Sequence, residues 1–239
     1  MLCIILYHIM RQESTNIILN RLRRLKLMDN IITNGIKSKE RVSKFGEVFT
    51  PENIVRDMIN LIPAEVREKL DSTWLEPACG NGNFLVQILS DKLDIAEQLG
   101  LDNYDINVFK AVCSIYGIDI QHDNVKESIY RMMAIIQQRY KKFTGNDIGV
   151  KLGDAIAYVL TQNIIWGDAL TEKFMRDESE LLIPEWTIDG EDVSRKDFTL
   201  ASMVEGTMWY GIPTNVYKTV KYTRVMKAKP QEDNVNDWV

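Results

Sequence analysis

Three carboxylates in this chain, Glu76, Asp119 and Asp168, each stand at or near the end of a short apolar run and beside a turn. The first lies in Trp74-Leu75-Glu76-Pro77-Ala78-Cys79-Gly80-Asn81-Gly82-Asn83-Phe84-Leu85. Thr73 to Leu75 favours a strand. Gly80 and Gly82 permit a turn tight enough for backbone to approach a ligand. Phe84, Leu85, Ile88, Leu89 and Leu93 then recur on one helical face. A strand, turn and helix in this order aim backbone N–H groups at whatever sits above the strand's carboxyl end. The glycine pattern stops at G-x-G, because Leu85 stands where a third small residue would complete a dinucleotide fingerprint. Glu76 would repel a pyrophosphate and suits a ligand with a cationic centre, an ammonium or a sulfonium.

S-adenosylmethionine carries both cations. The run from Glu76 to Phe84 resembles the cofactor motif of the N6-adenine DNA methyltransferases of restriction–modification systems. A second motif, Phe49-Thr50-Pro51, resembles the Phe-Thr-Pro that precedes the glycine turn in those enzymes and covers the methionine end of the cofactor. Thr50 also suits a helix N-cap and Pro51 a first helical position, followed by a buried face of Ile54, Val55, Met58, Ile59 and Ile62. Ser114 to Ile120 is a β-rich run that carries Asp119, and a carboxylate there can accept both ribose hydroxyls. The same residue can instead cap the helix that the periodicity predicts over Asn124 to Phe143. The resemblance assigns the ribose to Asp119 and lays Ile120 against the adenine. Asn163 to Leu170 repeats the logic: Asp168 can accept the adenine amine, with Ala169 and Leu170 against the ring.

The resemblance spans about Ile36 to Leu170 and implies an α/β fold. It would be Rossmann-like, a mostly parallel sheet with helices on both faces. It implies methyl transfer from S-adenosylmethionine to adenine N6 in DNA. Ala78, between Glu76 and Gly80, belongs to the cofactor motif. The family also holds its flipped target base with Asn/Asp/Ser-Pro-Pro-aromatic. The six prolines here are never adjacent, so that motif is absent and the catalytic residues stay unassigned. Glu185 and Trp186, beyond Asp168, are weak substitutes as an acceptor and a stacking ring. The chain therefore reads as a modification subunit, a split half or a truncated copy. A second protein would carry the catalytic motif and target recognition. The alternative is an inactive cofactor-binding subunit that supports a partner methyltransferase or restriction enzyme.

Length and charge set the organisation. The 239 residues suit one α/β domain, and 45% hydrophobic with 26% charged residues is ordinary for a globular protein. Three cysteines and two histidines show no ligand spacing, so no metal is expected and a reducing cytoplasm fits. Residues 1–50 carry nine bases against four acids, and residues 206–229 carry five bases and no acid, around an acidic middle. Basic ends on an acidic body fit local contact with DNA phosphates. The expected division is an N-terminal, helical extension over 1–35, a cofactor-binding methyltransferase domain over 36–205, and a basic tail over 206–239. The apolar first ten residues are too short to span a bilayer, and no membrane association is expected.

Overall fold

A computed structural model describes Arg41, residues 49–203 and residues 210–231. The expected N-terminal extension over 1–35 lies outside the described residues.

Helix α1 (Glu52–Asn60) and the short α2 (Ala64–Arg67) lead into β1 (Trp74–Glu76). Helices α3 (Asn83–Gln98) and α4 (Tyr104–Cys113) follow, then β2 (Ile115–Asp119). Helices α5 (His122–Thr144) and α6 (Val150–Asn163) precede β3 (Ile164–Asp168), which turns into the two-residue β4 (Lys173–Phe174). β1, β2 and β3 are parallel neighbours, and β4 pairs antiparallel with β3. The register sets Glu76 beside Gly117 and Asp119 beside Trp166, so the carboxyl ends of the three strands share one edge.

Helices on both faces were expected, and the sheet corrects this. Leu85, Leu89, Val112, Met132 and Leu160, drawn from α3 to α6, join one buried cluster with Ile115 and Ile164. On the other face Tyr116, Ile118 and Ile165 meet Leu181 and Ile183. The cause is topological. The chain steps β1, β2, β3 in a single direction, and right-handed crossovers then put every connecting helix on the same face.

That other face meets the start of a second, antiparallel sheet through Leu181 and Ile183, while Val193 and Val220 of the same sheet join the helix-side cluster. The hairpin of that sheet joins β5 (Leu182–Asp189) to β6 (Asp192–Thr199) through Gly190. β7 (Asn215–Val216) and β8 (Val220–Lys221) both pair with β6, so this sheet runs across position 205. Asn215 to Met226 alternates apolar and polar residues as a strand would. Only these two short pieces form, and Tyr222–Lys227 winds into a 3₁₀ helix whose Val225 is buried in the main core.

Candidate cofactor-binding site

The glycine turn sits at the carboxyl end of β1 and is gripped from three directions. Asp119, at the end of β2, accepts the Gly80 N–H through Oδ2 at 2.8 Å. Its Oδ1 accepts the Gln121 N–H at 2.7 Å and Asn124 Nδ2 at 3.2 Å. One carboxylate thus ties the turn, β2 and the start of α5 together. Three protein donors reach this carboxylate, and through them it positions the turn. Asp119 is not the N-cap of α5: Gln121 holds that place with no side-chain bond, and Asp119 accepts its N–H just ahead of the helix.

Helix α5 supplies the second grip. Ser128 Oγ donates to the Gly80 carbonyl at 3.1 Å. Arg131 Nη1 donates to the Asn81 carbonyl at 2.8 Å and to Asn83 Oδ1 at 2.6 Å. Asn81 Nδ2 donates to Glu127 Oε1 at 3.2 Å. Sequence reading missed these residues, yet the signal was present. Asn124, Glu127, Ser128 and Arg131 are polar at i, i+3, i+4 and i+7, a polar stripe on one face of a helix. Three of them are buried.

The third grip comes from the segment before α1. The Phe49 ring lies 3.3 Å from where a Gly80 Cβ would stand, and Asn83 Nδ2 donates to the Thr50 carbonyl at 2.7 Å. Phe49, Thr50 and Pro51 are therefore brought onto the turn. Thr50 is not the N-cap: Pro51 holds that place with no side-chain bond, and the helix starts at Glu52. Gly82 has φ +85° and a Cβ there would meet Ser128 Oγ at 2.7 Å, so both backbone and space call for glycine. Gly82 also precedes α3, and no side chain caps that helix's first-turn N–H groups.

Glu76 is partly buried just ahead of the turn, with Ala78 exposed beside it. Burial pushes the Glu76 carboxyl above the usual range, and a hydrogen bond from the Ala78 backbone partly offsets this. At the end of β3, Asp168 Oδ1 accepts the Leu170 N–H at 2.9 Å and the Thr171 N–H at 3.4 Å. The Leu170 bond chiefly holds this carboxyl below its ordinary range, so it stays ionised. Ile120 and Leu170 are exposed at the same edge, and Ala169 packs toward the second core cluster.

Glu185 and Trp186 are not brought to this edge. Glu185 is exposed on β5. Trp186 Nε1 donates to Asn163 Oδ1 at 2.8 Å, and Arg195 stacks over its ring at 5.3 Å. Asn163 precedes β3, and its Nδ2 donates to the Ile115 carbonyl at 3.0 Å. Trp186 is therefore fastened at the amino ends of β2 and β3, about 16 Å along the strand from Asp168. It fills a structural notch and is not placed to stack a base at the crevice.

A family model described as N-6 DNA Methylase matches residues 35–160, more than half of the chain. The chain belongs to the N-6 DNA methylase family. In this N-6 DNA methylase the matched stretch takes in Phe49 to Pro51, the glycine turn, Asp119 and the α5 stripe, and ends before β3. No curated protein and no solved structure matches the chain. Among the described residues no cluster of His, Cys, Asp and Glu could hold a metal ion, and no helix is long and apolar enough to cross a membrane.

Proposed function

We propose that this chain is the S-adenosylmethionine-binding part of a DNA adenine-N6 methyltransferase of a restriction–modification system. It acts with a second polypeptide that brings the base-holding motif and target recognition. The observation that carries the reading is the convergence of Phe49, Thr50 and Asp119 on one glycine turn.

The residues present fit the cofactor. Gly80 and Gly82 let the turn close against Phe49 and Ser128, and the start of α3, where Gly82 brings no capping side chain, offers N–H donors to a carboxylate. Glu76, partly buried beside the turn, suits a cationic amine or sulfonium when its carboxyl is ionised. Phe49 shields the methionine end from water. Ile120, Ala169 and Asp168 would receive the adenine. Asp119 positions the turn, and a ribose hydroxyl would share its carboxylate with the present donors. When bound, the cofactor supplies a methyl group on a sulfonium. The chain's own part is to bind and orient it.

Calorimetry tests this on the purified chain. Saturable binding of S-adenosylmethionine is expected, with weaker binding of S-adenosylhomocysteine, which lacks the sulfonium charge. No heat and no thermal shift in excess ligand would sink the reading.

A further inference from the structure

The run from Asn163 to Leu170 places one large aromatic residue, Trp166, two positions ahead of Asp168. The register pairs it with Asp119, the last residue of β2. Ile164, two residues before Trp166, is buried in the helix-side cluster, and the Trp166 ring packs against the same cluster. From there the ring reaches across to the neighbouring turn. Its Nε1 donates to the Ile120 carbonyl at 3.0 Å. The His122 imidazole lies on the indole, with ring centroids 4.5 Å apart and planes inclined by 31°. The Trp166 carbonyl accepts the Met175 N–H at 3.1 Å. Trp166 thus joins three places: the turn after β2, the first turn of α5 and the arm that returns after β3.

The turn after β2 needs such a hold. Ile120 is 36% exposed and belongs to neither apolar cluster, so little packing fixes its side chain. Its place follows from its peptide. Helix α5 opens on the Gln121 carbonyl, which accepts the Asn124 and Val125 N–H groups at 3.1 and 3.2 Å. The Ile120 carbonyl comes just before that first helical acceptor and just after the last residue of β2. The indole N–H takes this carbonyl between the two elements. An aliphatic residue at position 166 would pack on the helices and has no N–H to offer. Asp168 and Ala169 follow two and three residues after Trp166, at the end of the same strand. One residue therefore carries one turn covalently and holds the other by a hydrogen bond.

We propose that Trp166 is the positioning residue of the adenine slot. Its indole N–H fixes the Ile120 peptide relative to Asp168 and Ala169, and this sets the gap between the two walls that receive the ring. The inference rests on the cofactor reading for what enters the slot. A planar base gains most when both walls stand at van der Waals contact, about 3.5–4.0 Å away. A wall that swings must be ordered when the ligand arrives, and that ordering subtracts from affinity. The bond from Trp166 orders Ile120 beforehand. His122, seated on the indole, holds the ring where its N–H reaches the Ile120 carbonyl. Trp166 acts on the ligand through Ile120.

The test compares the purified full chain with Trp166→Phe, Ile120→Ala and the double variant, by calorimetry with S-adenosylmethionine and by amide hydrogen exchange. Trp166→Phe keeps a ring against the core and His122 and removes the indole N–H. It should weaken S-adenosylmethionine binding about tenfold and speed exchange of the Gln121 amide about tenfold, with the amides of α6 unchanged. Ile120→Ala removes the wall itself and should also weaken binding about tenfold. The double variant should then bind no more weakly than Ile120→Ala alone, because the position of a missing wall no longer matters. A residue that merely supports the fold would instead give losses that multiply to about a hundredfold, and that result overturns the proposal. Unchanged affinity in Trp166→Phe overturns it too and leaves the cofactor reading standing. If Trp166→Phe does not fold, His122→Ala, which uncovers the indole, carries the same cycle: a loss alone and none beside Ile120→Ala. A wild-type chain that binds no S-adenosylmethionine sinks the cofactor reading, and the adenine slot with it.

Discussion

Glu76 and Gly82 do opposite work a few residues apart: one supplies charge and the other supplies room. Burial raises the Glu76 carboxyl above the usual range, so its ionised form is the one the fold disfavours. A cationic ligand favours that ionised form and lowers its pKa. Affinity should therefore fall as pH drops through the Glu76 titration, in a window above that of an ordinary glutamate. If the cation lowers the pKa by about one unit, the loss is about tenfold. Calorimetry across acid to neutral pH checks this, and Glu76→Gln should be weaker at neutral pH and flat. At Gly82 an alanine meets both positive φ and Ser128, and should cost about 2–3 kcal/mol in denaturant melts. Gly100→Ala, at φ +92° with nothing within 4 Å of a Cβ, isolates the backbone part and should cost about 1 kcal/mol. Equal losses at the two sites would remove the crowding argument. Glu76, both turn glycines and Asp119 were legible in the sequence because each stands at a break between periodicities. The α5 stripe was passed over because its polar residues are interleaved with Val125, Ile129, Met132 and Met133.

The elements are joined by polar pins as well as by the core. Lys92 on α3 is almost wholly buried, and its Nζ donates to the carbonyls of Leu70 at 2.7 Å, Ser72 at 2.8 Å and Lys69 at 3.2 Å. Those carbonyls belong to the segment that feeds β1, so one ammonium sets where the strand enters the sheet. Burial pulls the Lys92 pKa down to about 8, which is the cost of placing a cation there. Lys92→Met keeps much of the volume and leaves three carbonyls without their donor. We expect a loss of about 2–4 kcal/mol in stability, read by thermal and denaturant melts. A neutral outcome would mean that water replaces the ammonium freely. Sequence periodicity located α3 and α5 well, because each buries a long apolar stripe. It misjudged α1, where an apolar arc was read as burial although nothing described covers half of it. Periodicity reports which face avoids water and says nothing about what covers it. The second sheet was illegible for a related reason: β7 and β8 are two residues each and are held by β6, not by their own pattern.

At the scale of the molecule, half of a methyltransferase's task is visible and half is not. The carboxyl edge of β1 to β3 gathers the turn, Glu76, Asp119, Ile120 and Asp168. Nothing comparable among the described residues stands ready for a flipped adenine, since Trp186 is fastened to Asn163 at the far end of the strands. Methyl transfer needs the amine held in line with the sulfonium, and a displacement of about 1 Å can cost about 100-fold. The purified chain should therefore bind S-adenosylmethionine and leave DNA adenine unmethylated. Adding the polypeptide that supplies the base-holding motif should restore transfer of labelled methyl groups. Trp186→Ala provides the control. It removes a packed ring and its bond to Asn163, and should lower stability by about 2–3 kcal/mol. Because Trp186 is remote from the crevice, cofactor affinity should stay within about twofold of wild type, below the 1.4 kcal/mol of a tenfold change. Robust methylation by the chain alone, abolished by Trp186→Ala at unchanged cofactor affinity, would show that the base is received at the Trp186 end and that the substrate side of the molecule has been misplaced.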